Sequence, residues 1–141
     1  MTDRLPEDDA DLFALMRREL FSSVIGDVLD AQGLRHQYLP PNIRPLSDDM
    51  VLIGRAMPVL ETDYFVDPAL PGASGLAAKP FGLMFEALDD LKPNEIYVTS
   101  GVCGAYAQWG EMMTTRARVL GAAGAVLNGY ARDTNGVRAL K

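Results

Sequence analysis

Apolar residues recur at helical spacing near the start of the chain and predict an amphipathic helix over residues 7–20. The residues that form its apolar face are Leu12, Phe13, Leu15, Met16 and Leu20. A second, shorter helix is predicted after Ser22 or Ser23, because either hydroxyl could cap its first turn. Gly33 is the expected end of this helix, since glycine readily adopts the left-handed conformation that follows a helix.

Beyond residue 50 the pattern alternates between strand-like and helical segments. Strands are predicted over residues 50–60, 95–99 and 124–129, and helices over residues 81–91, 111–120 and from 134 onward. Residues 35–50 and 61–80 have the composition of loops. Pro58 lacks a backbone donor and therefore suggests an edge strand or a bulge. Strand, loop, helix and strand in residues 95–133 form a βαβ-like unit, which indicates an α/β fold.

Length, charge and cysteine content narrow the class of protein. The 141 residues suit one domain over residues 1–141, and no internal repeat divides them. A net charge of -6 with scattered basic residues argues against a nucleic-acid partner. No apolar stretch approaches the ~20 residues that cross a bilayer, and no secretory signal precedes the first helix. Cys103 is the only cysteine, so we expect a cytoplasmic protein with a buried structural thiol.

Two segments of the βαβ-like unit carry candidate chemistry. The predicted helix start at Gly110, Glu111, Met112 and Met113 exposes backbone N–H groups that could bind a carboxylate or phosphate oxygen, and Gly110 would allow a close approach. Arg132 and Asp133 follow the next strand. The planar fork of Arg132 matches a substrate carboxylate.

Asp133 supplies a hard oxygen ligand suited to Mg2+ or Mn2+, which keep several waters. Glu111 could bind a water on the metal and accept a proton. Taken from the residues alone, an alternative stays open. The Arg132–Asp133 pair could be an ordinary surface salt bridge, and a glutamate in a first helical turn is common.

Other reactive residue types carry weaker signals. His36 is the only histidine, so one chain cannot supply a multi-histidine metal site. No serine lies in a nucleophile elbow, and the glycines at 101 and 104 are too few for a dinucleotide fingerprint. Met84, Met112 and Met113 are expected in the core.

Several segments of the chain resemble the RraA-like family, which includes 4-hydroxy-4-methyl-2-oxoglutarate aldolases. The most specific part runs from residues 107–111 (AQWGE) through residues 123–129 (AGAVLNG) to Arg132 and Asp133. Residues 23–33 (SVIGDVLDAQG) and residues 43–46 (IRPL) fit the same family. The resemblance extends from about residue 20 to residue 141.

The resemblance implies an α/β/β layered swivelling-domain fold and a homo-oligomer, a trimer or hexamer. It implies that Asp133 binds the divalent ion, that Arg132 binds the substrate carboxylate, and that residues 110–113 bind the pyruvyl unit through backbone amides. The implied activity is metal-dependent retro-aldol cleavage of a small keto acid to pyruvate, together with oxaloacetate decarboxylation. Family members usually continue beyond the arginine-aspartate pair, so we expect this chain to lack C-terminal strands of the family fold.

Two alternatives to the aldolase remain within the same family. One is a non-catalytic regulator of ribonuclease activity, a branch that typically lacks the aspartate found here as Asp133. The other is a lyase for a different keto acid or sugar acid. The loop over residues 61–80 is the expected determinant of that preference.

Overall fold

The structure is a computed structural model that describes residues 5–63 and 83–140. The chain divides into two compact units, residues 1–45 and residues 46–141. Most of the predicted loop over residues 61–80 lies outside the described residues. Within the described residues, no helix is long and apolar enough to span a membrane.

The first unit contains helices α1 (Asp9–Glu19) and α2 (Ser22–Ala31). The Asp8 carboxylate caps α1 by accepting a hydrogen bond from the Asp11 N–H at 2.9 Å. The predicted serine cap of α2 is wrong, because Phe21 occupies the N-cap position and Ser22 already lies inside the helix. Gly33, with φ 79°, follows the end of α2 as predicted.

The second unit is an α/β arrangement around a parallel sheet. Its elements are β1 (Arg55–Leu60), α3 (Met84–Asp89), β2 (Glu95–Ser100), α4 (Glu111–Val119), β3 (Gly124–Leu127) and α5 (Thr134–Ala139). The three strands lie in the order β1-β2-β3, with Met57 beside Tyr97 and Tyr97 beside Ala125. The unit β2-α4-β3 confirms the predicted βαβ connection, and among the described strands β1, which contains Pro58, lies at an edge of the sheet.

Strand β1 is shorter than its sequence pattern suggests, because residues 50–54 are not part of it. The ladder begins where the Arg55 N–H donates to the Asn94 carbonyl at 3.1 Å. Asn94 has a φ of 65°, so the neighbouring chain turns at this point, just before β2 begins at Glu95. Gly54 meets the turn closely, since a Cβ there would clash with the Asn94 carbonyl oxygen.

The core of the second unit lies between one face of the sheet and helices α3 and α4. Its buried members are Leu88, Leu91, Tyr97, Trp109, Met113 and Ala117. The rings of Tyr97 and Trp109 meet with their centroids 5.2 Å apart. Met113 belongs to the core as expected, whereas Met112 does not, because 78% of Met112 is exposed. One residue of displacement along α4 turns the side chain from the core to solvent.

Candidate functional site

A short parallel bridge brings the two predicted site segments together. Trp109 pairs with Ala131 beyond the ends of β2 and β3. The Gln108 N–H donates to the Tyr130 carbonyl at 3.0 Å, and the Arg132 N–H donates to the Trp109 carbonyl at 2.9 Å. These bonds hold the start of α4 beside Arg132 and Asp133, at the end of the sheet where α/β proteins usually bind ligands.

Gly110 is the residue at which the two segments touch. A Cβ placed there would lie 3.0 Å from Asp133 Oδ2, 3.3 Å from Arg132 Cγ and 3.4 Å from Arg132 Nε. Gly110 is buried and extended, with φ -159°, so its backbone conformation does not require glycine. The absence of a side chain at Gly110 therefore allows Arg132 and Asp133 to approach its backbone closely.

The first turn of α4 presents free backbone donors. Gly110 is the N-cap residue, and no described side chain caps this end. Backbone N–H groups in a first turn have no partner within the helix, and they lie at the positive end of the helix dipole. This end of α4 can therefore bind a carboxylate oxygen of a ligand.

Thr114 fixes the geometry of that turn. The Trp109 indole N–H donates to Thr114 Oγ1 at 2.8 Å, and the Thr114 hydroxyl donates to the Gly110 carbonyl at 3.0 Å. Thr114 was not among the site residues predicted from the sequence. A threonine four residues after a helix N-cap is the signal that was available, since its hydroxyl commonly bonds the carbonyl one turn back.

Arg132 and Asp133 are open to solvent. Their side chains are 68% and 50% exposed, and Arg132 Nε lies 3.5 Å from Asp133 Oδ2. An exposed pair of this kind stabilises a fold by only about 0–1 kcal/mol. Asp133 also has the unusual φ of 54° and is the N-cap residue of α5 without a side-chain cap bond. Its carboxylate is therefore available to a ligand.

Glu111 and the two methionines take different positions around this centre. Glu111 is the first residue of α4, is exposed, and contacts α5 at Gly136. The Met113 side chain is buried in the core, so only its backbone could face a ligand at the helix start. The Met112 side chain is exposed.

Gln108 is a buried polar residue that the sequence analysis did not single out. Only 1% of it is exposed, and its Nε2 donates to Thr99 Oγ1 at 3.2 Å. Its Oε1 has no hydrogen-bond partner in the described part of the chain. Gly129 makes room for this amide, because a Cβ at Gly129 would lie 2.8 Å from Gln108 Cδ. Gln108 thus connects the ends of β2 and β3 behind the site.

A tyrosine-carboxylate pair lies at the same end of the sheet. Tyr97 is fully buried, and its hydroxyl donates to Glu61 Oε1 at 3.2 Å. Burial first, and the neighbouring Glu61 carboxylate second, raise the pKa of Tyr97 far above its usual value. Tyr97 therefore stays protonated and acts as a donor.

Cys103, expected to be buried, is exposed, and its N–H donates to Asp63 Oδ2 at 2.7 Å.

The donor set limits the kind of metal site that these residues could form. Within the described residues, no group of three or more histidine, cysteine, aspartate or glutamate side chains could hold a metal ion. An enclosed structural metal site is therefore not formed by them. Asp133, half exposed and free of a capping bond, fits an open site in which the protein supplies few of the metal ligands. One carboxylate completed by waters and by substrate is a usual arrangement for Mg2+.

Comparison with known proteins identifies the family of the chain. The RraA-like family, described as Aldolase/RraA, matches residues 22–141. No curated protein matches the chain.

Two solved structures share the fold. One is described as belonging to novel cellulases from microbes associated with the gut ecosystem, with a TM-score of 0.76 and 21% identity over 100% of this chain. The other, an uncharacterized protein from Pseudomonas syringae pv. tomato str. DC3000, has a TM-score of 0.66 and 21% identity over 99% of this chain. This chain spans 59% and 56% of their respective lengths. Identity at this level shows the fold alone.

Proposed function

The chain belongs to the RraA-like family, and we propose that it is a divalent-metal-dependent aldolase that releases pyruvate. The substrates would be of the 4-hydroxy-4-methyl-2-oxoglutarate type, with oxaloacetate decarboxylation as a second activity. The observation that carries the proposal is the convergence of Arg132 and Asp133 on Gly110 at the start of α4, where a Cβ built on Gly110 would lie 3.0–3.4 Å from their side-chain atoms.

Substrate binding is assigned to the helix start and to Arg132. A keto acid presents a planar carboxylate, which matches both the guanidinium fork and a row of backbone N–H donors. The donors are the N–H groups of Glu111, Met112 and Met113, which follow the N-cap Gly110. Because 68% of the Arg132 side chain is exposed, it can turn toward a bound carboxylate without breaking a buried contact.

Asp133 is assigned to hold Mg2+ or Mn2+. Its carboxylate oxygen lies beside Gly110 and is free of any cap bond to α5. When bound, the cation supplies electrostatic stabilisation of the negative charge that develops on the 2-oxo group. Arg132, adjacent in sequence, supplies a second positive charge at the same end of the substrate.

Glu111 is assigned as the proton acceptor. In the retro-aldol direction it takes the proton of the 4-hydroxyl group, and the bond between C3 and C4 breaks. The electron pair moves toward the 2-oxo group and leaves the enolate of pyruvate, which then takes a proton at C3. Oxaloacetate reaches the same enolate by losing carbon dioxide. One set of residues can therefore serve both reactions.

The family assignment brings further expectations that we propose together with the activity. They are a layered α/β/β swivelling-domain architecture, a homotrimer or hexamer, and a cytoplasmic location. Asp133 favours the aldolase over the ribonuclease-regulating branch, because a regulator has no need of a metal-binding carboxylate at this position. A related keto-acid or sugar-acid lyase would use the same residues on a substrate that differs in the part far from the bound carboxylate.

The experiment is a measurement of pyruvate release from oxaloacetate and from 4-hydroxy-2-oxo acids, with Mg2+ or Mn2+ and with excess EDTA. We expect metal-dependent turnover that EDTA abolishes. Asp133→Asn should lower kcat/KM by about 100-fold or more, because a metal ion contributes several kcal/mol of charge stabilisation. Asparagine tolerates the left-handed conformation of residue 133 and is a good N-cap residue, so the variant should stay folded.

Asp48→Asn is the matched control, since it removes an exposed carboxylate elsewhere in the second unit. It should keep wild-type activity. Turnover that is insensitive to EDTA, or full activity in Asp133→Asn, would show that this chain is not a metal-dependent aldolase.

A further inference from the structure

The side chain of Glu111 lies against α5 at Gly136. Helices α4 and α5 contact each other, and Glu111 is the first residue of α4. A Cβ placed on Gly136 would lie 2.9 Å from Glu111 Cγ, and closer still to Glu111 Cδ and Oε2. The space that any other residue would fill at position 136 is therefore occupied by the carboxylate arm of Glu111.

The backbone does not explain a glycine at this position. Gly136 lies inside α5, and it is not one of the described glycines with positive φ. Glycine is among the poorest helix-forming residues, and alanine would favour the same helix. The feature of the fold that glycine accommodates at position 136 is the side chain of Glu111.

Position 136 also relates Glu111 to the proposed metal ligand. Gly136 follows Asp133 by three residues, so it lies in the first turn of α5, for which Asp133 is the N-cap residue. A carboxylate resting on Gly136 is thus kept near the end of α5 that begins at Asp133.

We infer that Gly136 is a positioning residue that holds the Glu111 carboxylate at the site by leaving it room on α5. This role rests on the proposed function of Glu111 as proton acceptor. The whole side chain is involved, because Cγ as well as the terminal oxygen would meet a new Cβ. A residue larger than glycine must therefore rotate the side chain of Glu111 instead of bending its tip alone.

The test is a double-mutant cycle with Gly136→Ala, Glu111→Ala and the two combined. In the wild-type background Gly136→Ala should lower kcat between about 10- and 100-fold with little change in KM, because displacement of a catalytic group by about 1 Å has effects of that size. In the Glu111→Ala background the same change should have no further effect on kcat. Asn135→Ala, at an exposed neighbour on α5, is the control and should keep wild-type kcat.

Thermal unfolding of the same four proteins tests the contact without any catalysis. With Glu111 absent, Gly136→Ala should raise Tm by about 4 °C, the effect of better helix propensity in a chain of this size. With Glu111 present, the gain should be less than half as large or reversed, because the new methyl group displaces the glutamate. Equal gains in both backgrounds would overturn the contact.

The two readouts separate this inference from the proposed function. If the wild-type protein releases no pyruvate, the aldolase proposal fails, and the Tm cycle still decides whether Gly136 accommodates Glu111. If the wild-type protein is active and Gly136→Ala keeps full kcat, the aldolase proposal stands and the positioning role is wrong. Additive losses of kcat in the combined variant would also overturn it.

Discussion

Two regions on either side of the Trp109–Ala131 bridge differ sharply in their surroundings. On one side lies the buried layer, formed by Tyr97, Trp109 and Met113, of which at most 6% of any residue is exposed. On the other lies the exposed pair, Arg132 and Asp133, with side chains 68% and 50% exposed. The backbone bonds of Trp109 connect the two regions directly, so they are neighbours in space with opposite environments.

Residues that stabilise the fold and residues that could bind a ligand therefore lie next to each other in this part of the molecule. The buried layer removes apolar area from water, which is the dominant source of folding free energy. The exposed pair contributes little to folding but offers charge to a ligand. Catalytic groups gain from being carried on rigid, well-packed elements. We therefore expect substitutions in the buried layer to change stability and substitutions in the exposed pair to change kinetics.

The largest expected effect is in the buried layer. Met113→Ala should lower the free energy of unfolding by about 2–5 kcal/mol, because it leaves a cavity beside Trp109 and Tyr97. Met112→Ala is a control of identical chemistry one residue away, at a side chain that is 78% exposed. It should change stability by no more than about 0.5 kcal/mol. Urea unfolding of both variants provides the measurement, and equal losses would contradict the burial described for α4.

A smaller effect is expected in the exposed pair. Arg132→Lys keeps the positive charge but loses the planar fork, so KM for a keto acid should rise about 10-fold. The melting temperature should stay within about 1 °C of wild type, since exposed positions contribute little to stability. Arg118→Lys, at an exposed arginine in the last turn of α4, is the control and should alter neither quantity. A large fall in Tm with unchanged KM would place Arg132 among the structural residues.

The smallest expected effect is a change in pH dependence at Tyr97. Its pKa is raised in the folded protein above the usual value of about 10, so the folded state keeps the proton while the unfolded chain loses it. This stability is fully present below pH ~9 and is lost as the pH rises beyond ~10, by about 1 kcal/mol near pH 11. Tyr97→Phe removes the titrating group. The free energy of unfolding of this variant should therefore fall less between about pH 10 and pH 11 than that of the wild type; we call this high-pH part of the stability profile the alkaline limb.

Chemical denaturation between pH 8 and pH 11 measures this difference. Tyr130→Phe is the control, because it removes the hydroxyl of a tyrosine that is 44% exposed. The alkaline limb of that variant should match the wild type. The same alkaline loss in Tyr97→Phe as in the wild type would exclude the Tyr97–Glu61 pair as its cause.

Local sequence patterns predicted helices and strands well where the structure depends on residues close together in the chain. The apolar spacing and the glycine stops located α4 and its end, since Gly121 has the left-handed φ of 77° expected after a helix. The β-branched run of β2 became a strand that spans Glu95–Ser100. The predicted start of β1 failed, because the extent of a strand depends on its partner, and β2 begins only at Glu95.

Side-chain environments were predicted less well than elements. Cys103 is exposed, although cysteine as a residue type is usually buried. Met112 is exposed although Met113 is buried, and the helical spacing alone did not distinguish them. Gln108 and Thr114 belong to the surroundings of the site through hydrogen bonds to Thr99 and Trp109, and no sequence motif marks those partners. Burial and pairing depend on which elements pack together.

The sequence by itself determined the α/β class, the βαβ unit and the residue types of the candidate site. These depend on hydrophobic periodicity and on chemistry that Gly110, Arg132 and Asp133 carry wherever they are placed. Only the tertiary structure decided that Arg132 and Asp133 lie against Gly110, and that Glu111 rests on Gly136. The reason is that residues more than twenty positions apart approach through strand pairing and helix packing, which local propensities do not encode.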